Sequence, residues 1–111
     1  MLNTLTRPQV SINQPSGHLN AANVETFRQE LLDTVSSQNA SCVLVDMAAV
    51  ESLDSAGLMV LVSALTTAQQ SSKRFALCNV SSSIRIIFEL TQLDRVFEMF
   101  DSRSAFESAI A

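Results

Sequence analysis

The sequence predicts a single α/β domain with a mixed, mostly parallel sheet of four to five strands and about four packed helices. Three observations carry that prediction. Short, uninterrupted apolar runs alternate with longer segments whose apolar residues recur at helical spacing. The order reads β-α-β-α-β-α-β-α, and such alternation joins parallel strands by right-handed crossovers. The length of 111 residues suits one core and is too short to bury two.

The elements follow in order. Residues 1–8 read as a short extended or edge segment, and Gln9–Gln14 as an edge strand bounded by Pro8 and Pro15. Residues 21–37 read as a helix, because Val24, Phe27, Leu31 and Val35 make one apolar stripe. Asn20 is its expected N-cap, with Leu19 and Val24 as the hydrophobic staple around it. The run CVLVDM, 42–47, has the β-branched, all-apolar character of a central strand covered on both faces. Residues 55–70 are helical, with Leu58, Leu61, Val62, Leu65 and Ala68 facing inward. RFALCNV, 74–80, reads as a second buried strand. Residues 82–91 form a helix capped by Ser81, with Ile84, Ile87 and Phe88 inward. RVFEMF, 95–100, reads as a short strand. Asp101 is the expected cap of a last helix over 102–110, which carries Ala105, Phe106, Ala109 and Ile110.

Composition excludes several classes. Seven basic and eleven acidic residues give a net charge of −4, which leaves no basic face for nucleic acid or anionic lipid. Hydrophobic content of 47% argues against disorder, and no apolar run has the length of a membrane span. The opening MLNTLTRPQVSINQ lacks a basic segment followed by an apolar one, so it does not read as a signal peptide. Cys42 and Cys78 sit in apolar runs and read as two reduced, buried thiols. A cytoplasmic location is the expectation that follows.

Sites on parallel sheets gather in the loops beyond the carboxyl ends of the strands, here 14–20, 48–54 and 79–82. The two glycines of the chain, Gly17 and Gly57, fall at PSGHLN and LDSAGL. Gly17 suits a turn of positive φ. Asp54 is the expected N-cap of the second helix, with Leu53 and Leu58 as its staple. Gly57 is then the third helical residue, where glycine costs about 1 kcal/mol relative to alanine. A small residue there, beside Ser55 and Ala56, is expected to leave the helix start open to an incoming chain. Ser55 becomes the first helical residue, at the positive end of the helix dipole, where a phosphate is tolerated.

The ordered set of these pieces resembles the STAS domains, the family of bacterial anti-sigma-factor antagonists. It spans a strand ending in Asp46, the D-S-A-G-L turn, an apolar helix, a strand ending in N-V-S, and a helix with I-F-E-L-T leading to a short V-F strand. PSGHLN matches the family's G-x-L-D element, with Asn20 in place of its usual Asp, and Gln92 stands where the family often has glycine. The resemblance covers roughly residues 9–110 and implies a single STAS-like domain. It also implies that Ser55 is the regulatory serine. The enzyme would be an anti-sigma factor or related serine kinase of the histidine-kinase-like ATPase type, with a PP2C-type phosphatase reversing the modification. Unphosphorylated protein would bind the kinase-like partner and release a sigma factor or other client. No enzymatic activity, cofactor or metal is expected, and the chain is expected to be a monomer or weak dimer.

The partner-binding residues expected around Ser55 are His18, Asn20, Asp54, Ala56, Gly57, Met59 and Val60. Met59 is one turn from Ser55 on the same helix face, and Val60 is also off the inward stripe. Either the two are exposed apolar contacts for a partner, or another segment covers them. Other constellations compete. Ser55 with His18 and Asp46 or Asp54 has the residue types of a hydrolase, but there is no G-x-S-x-G elbow. Asp46, Glu51 and Asp54 could hold Mg²⁺, although acids in one loop more commonly cap and solvate. A STAS scaffold or small-ligand module that works without phosphorylation is the alternative function.

Overall fold

The computed structural model describes residues 9–111, so the expectations for residues 1–8 and for Pro8 as a boundary lie outside the described residues. The chain runs β1 (Val10–Asn13), β2 (Gly17–Leu19), α1 (Val24–Val35), β3 (Cys42–Asp46), β4 (Val50–Leu53), α2 (Ser55–Gln70) and β5 (Arg74–Cys78). It continues with α3 (Ser82–Leu90), a 3-10 turn (Leu93–Arg95), β6 (Glu98–Phe100) and α4 (Arg103–Ile110). The main sheet has the order β1-β3-β5-β6, and every pairing in it is parallel. β1 is an edge strand, as expected for the Gln9–Gln14 run.

The sheet is covered on both faces, which explains why β3 reads as a continuous apolar run. Val43, Val45, Phe75 and Leu77 join the core formed with α1, α2 and α3. Cys42, Leu44, Ala76 and Cys78 point the other way, against Phe106 of α4. Period-2 alternation thus serves two cores from one strand. Phe97 packs edge-on against Phe88, with ring centroids 5.4 Å apart, and fixes α3 over the β6 edge. Both cysteines are free and buried.

Several expectations are corrected. Segments 14–20 and 48–54 are more than loops: they contain β2 and β4, which pair in parallel as a separate two-stranded sheet. α1 begins at Val24, with Asn23 at the cap position rather than Asn20. Neither side chain caps the helix by the usual route. Asn20 closes its own turn by accepting from the Ala22 N–H, and the Asn23 amide bridges the Asn20 N–H and the His18 carbonyl. The last helix is capped by Ser102 and not Asp101, since the Ser102 hydroxyl accepts from the Ala105 N–H at 3.1 Å. Only Glu98–Phe100 of the 95–100 run is extended; Arg95 ends a 3-10 helix, and Val96 and Phe97 turn the chain into the strand. Ser81 caps α3 as expected.

Three residues just beyond the ends of elements have demanding backbone conformations. Ser72, Asn79 and Gln92 have φ of 58°, 56° and 62°. Ser72 closes α2 in a Schellman turn, with the Ser72 and Lys73 N–H groups donating to Gln69 and Ala68. The Lys73 ammonium then donates to the Val35 and Ser37 carbonyls and closes the end of α1. Gln92 does the same work after α3, donating to Glu89, but it is a poor residue for left-handed backbone. Gln92→Gly should therefore stabilise the domain by about 0.5–1 kcal/mol, raising Tm by a few degrees in a thermal melt followed by circular dichroism. An unchanged or lowered Tm would show that the Gln92 conformation carries no strain.

Candidate functional site

The site is built where the two-stranded sheet hands over to α2. At the end of β4 the chain is extended at Asp54, whose Oδ1 accepts from the Gly57 N–H at 3.0 Å. Its Oδ2 accepts from the Ala21 N–H at 3.2 Å, and its own N–H donates to the Leu19 carbonyl at 3.0 Å. One aspartate therefore caps α2 and clamps the β2–α1 turn against it. Ser55 follows as the first helical residue, exposed, and its hydroxyl makes no hydrogen bond among the described residues. Met59, one turn further on, is 56% exposed.

Two of the expected contact residues lie elsewhere. Val60 is buried at 1% exposure, because α2 packs against both the sheet and α1 and its buried arc extends past the predicted stripe to Val60 and Ala64. Gly57 is also buried and opens nothing to a partner. A Cβ there would stand 2.8 Å from both the Leu19 carbonyl oxygen and Leu53 Cδ1. Its smallness serves the close approach of α2 to β2. The surface that remains around Ser55 consists of Asp54, the half-buried Ala56 and Asn20, Met59, and His18 on the neighbouring strand.

His18 does not partner Ser55. Its Nδ1 lies 2.6 Å from the Ser52 hydroxyl directly across the β2–β4 pair, and its Nε2 is 4.0 Å from Glu51. Asp54 is spent on the cap. Asp46 is spent elsewhere: it is 5% exposed, and its Oδ2 accepts from Arg103 Nε at 2.8 Å and Gln14 Nε2 at 3.3 Å. Its Oδ1 accepts from Asn79 Nδ2 and the Ala48 N–H, each at 3.0 Å. The hydrolase grouping of Ser55, His18 and an aspartate is therefore not assembled. Nor do Asp46, Glu51 and Asp54 converge: among the described residues no three His, Cys, Asp or Glu side chains form a cation cluster.

Burial works to raise the Asp46 carboxyl, but the hydrogen bonds from Asn79, Ala48 and Arg103, with the Arg103 charge, outweigh it and hold it below the ordinary value. Burial, followed by that same carboxylate, pushes the Cys78 thiol up to about 11, so it stays protonated and unreactive at neutral pH.

Fold and site together define a small parallel α/β domain that presents a capped, exposed helix start at the carboxyl edge of its strands. The chain belongs to the STAS domain family, whose profile matches residues 1–105. A Thermotoga maritima protein with the provisional name anti-sigma factor antagonist is 30% identical over 95 residues, covering 86% of this chain and 84% of that protein. A crystal structure from Thermotoga maritima under the same provisional name superposes with a TM-score of 0.83 at 27% identity, over 91% of this chain and 86% of that one. The anti-sigma factor antagonist SpoIIAA shares the fold at 16% identity in both its unphosphorylated form, with a TM-score of 0.74, and its phosphorylated form, with 0.68. Each SpoIIAA comparison covers 92% of this chain, and 89% and 92% of the respective SpoIIAA chains. Among the described residues no helix is long and apolar enough to cross a membrane.

Two outcomes test this geometry. Gly57→Ala should destabilise by about 1–3 kcal/mol in urea unfolding, since overpacking outweighs the gain in helix propensity; a more stable variant would refute the close approach. Asp46→Asn should cost about 1–3 kcal/mol at neutral pH and flatten the acid limb of stability. The folded Asp46 carboxyl titrates below its unfolded value, so its contribution is complete above about pH 4 and is lost as pH falls through the folded value. Unfolding measured from pH 7 down to pH 2 distinguishes the two proteins; parallel curves would mean that Asp46 is not the group that titrates.

Proposed function

We propose that this protein is an anti-sigma factor antagonist whose binding to an anti-sigma factor, or a related serine kinase of the histidine-kinase-like ATPase type, is switched by phosphorylation of Ser55. A PP2C-type phosphatase returns it to the binding form. The observation that carries this reading is the Ser55 hydroxyl itself: exposed, without a hydrogen bond among the described residues, at the first position of a helix whose cap is already made by Asp54. The names of its relatives support the same assignment.

The physics favours a charge switch over a refolding switch. Phosphorylation adds about −1.5 to −2 charges beside Asp54, on a chain of net charge −4. An acidic group of the partner ~5 Å away repels each added charge by ~3 kcal/mol at an effective dielectric of ~20. The attraction of a phosphate to the helix terminus is worth only about 0.3–2 kcal/mol. A net shift of about 3–4 kcal/mol lowers affinity several hundredfold. The frame itself need not move, because its hydrogen bonds run through Asp54, Ala21 and Leu19 and leave the serine hydroxyl out.

Incubation with the cognate kinase and ATP should place phosphate on Ser55, and Ser55→Asp should weaken partner binding while Ser55→Ala retains it, as read by calorimetry. An unmodified Ser55, with both variants binding as the unaltered protein does, would leave the unswitched scaffold reading in its place. The exposed apolar contact has its own test. Met59→Asp should weaken the complex at least tenfold, roughly 1.4 kcal/mol, with Tm nearly unchanged. Val60→Asp should unfold the domain, since it buries a charge without a partner.

A further inference from the structure

The outer face of α3 is unused by the site around Ser55. The helix buries Ile84 and Phe88 and turns Ile86 and Leu90 outward, 51% and 80% exposed. These two are four residues apart and form one apolar ridge. Arg85 and Glu89 form the adjacent ridge at the same spacing. Opposite charges at that spacing commonly pair within a helix, yet neither residue makes an ion pair among the described residues. The face therefore offers an apolar ridge and, beside it, one positive and one negative charge that find no ion-pair partner among the described residues.

We propose that this face docks on the same face of a second copy of the chain. Two α3 helices laid antiparallel, with a two-fold axis passing between residues 87 and 88, bring Ile86 against the partner's Leu90 and Arg85 against the partner's Glu89. Symmetry makes each contact twice. The pattern is self-complementary: a different protein would have to supply an apolar pair and inverted charges independently, whereas a second copy supplies both. Antiparallel alignment also sets the amino end of each helix dipole beside the carboxyl end of the other. One pair of short helices covers less than the roughly 1,200 Å² of a standard stable interface, so the dimer is weak, with a Kd on the order of 100 µM. Nothing in this inference depends on the reading of Ser55.

Sedimentation velocity on the full chain, from about 10 µM to about 1 mM, tests it. The mean mass should rise toward that of a dimer, and Leu90→Lys should hold the chain monomeric throughout. Arg85→Glu and Glu89→Arg should each weaken association at least tenfold, and an equimolar mixture of the two should regain it, because an all-acidic face then meets an all-basic one. Thermal melts establish that the variants are folded, as expected for substitutions on an outward face. A monomer at the highest concentration, a dimer indifferent to Leu90→Lys, or a mixture no tighter than its components would each overturn the proposal.

Discussion

The structure turns on the buried carboxylate of Asp46. It stands at the end of β3, and four groups converge on it: Gln14 after β1, the Ala48 N–H in the turn after β3, Asn79 after β5, and Arg103 at the start of α4. Each belongs to a segment near the carboxyl edge of the main sheet, the edge at which partner sites of parallel sheets form. A buried charge without partners would cost several kcal/mol, so these segments are held wherever they can satisfy it. Arg103 ties the helix of the second core to the end of β3. Burial, reinforced by the same charge, keeps Cys78 a protonated thiol, a packing residue rather than a nucleophile.

On that base the Ser55 site is assembled by a second aspartate with a different task. Asp54 is exposed and contributes hydrogen bonds rather than a buried charge. It satisfies two otherwise orphaned N–H groups, one in its own helix and one in the β2–α1 turn. Gly57 completes the arrangement by letting the helix approach Leu19 closely. The hydrogen bonds of Asp54 hold this corner in place, with the Ser55 hydroxyl at its tip unbonded among the described residues, and a fixed corner is what the proposed charge switch requires. A flexible corner would swing a new negative group into solvent and spare the partner most of the repulsion.

The chemical groupings that sequence proximity suggests come apart for the same reason. His18 is committed to Ser52, Asp46 to Arg103 and its other donors, and Asp54 to the α2 cap, so none of them is left to act on the Ser55 hydroxyl. His18 and Ser52 face each other because the β2–β4 register shifts between Gly17 and His18, and Asp46 turns inward because β3 alternates faces. What is left for an incoming molecule is a surface with an apolar spot at Met59, not a pocket of convergent acids and bases.

Much of this was legible in the residues. Alternating buried runs and amphipathic stripes determined the α/β order, the buried thiols and the edge position of β1. The D-S-A-G-L turn determined the cap at Asp54 and the serine beyond it, because caps and staples are local interactions between residues close in the chain. The tertiary structure alone decided the rest. Three-residue strands such as β2 show no periodicity of their own, so their pairing with β4 could not be read. Asn20 and Asp101 had the chemistry of caps, but α1 starts at Val24 with no side-chain cap, and the Ser102 hydroxyl rather than Asp101 caps α4. Val60 and Gly57 are buried only because α1 and β2 come to lie against α2. A helix wheel records which way a side chain points; which faces are covered depends on packing between segments distant in sequence, and no local pattern carries that information.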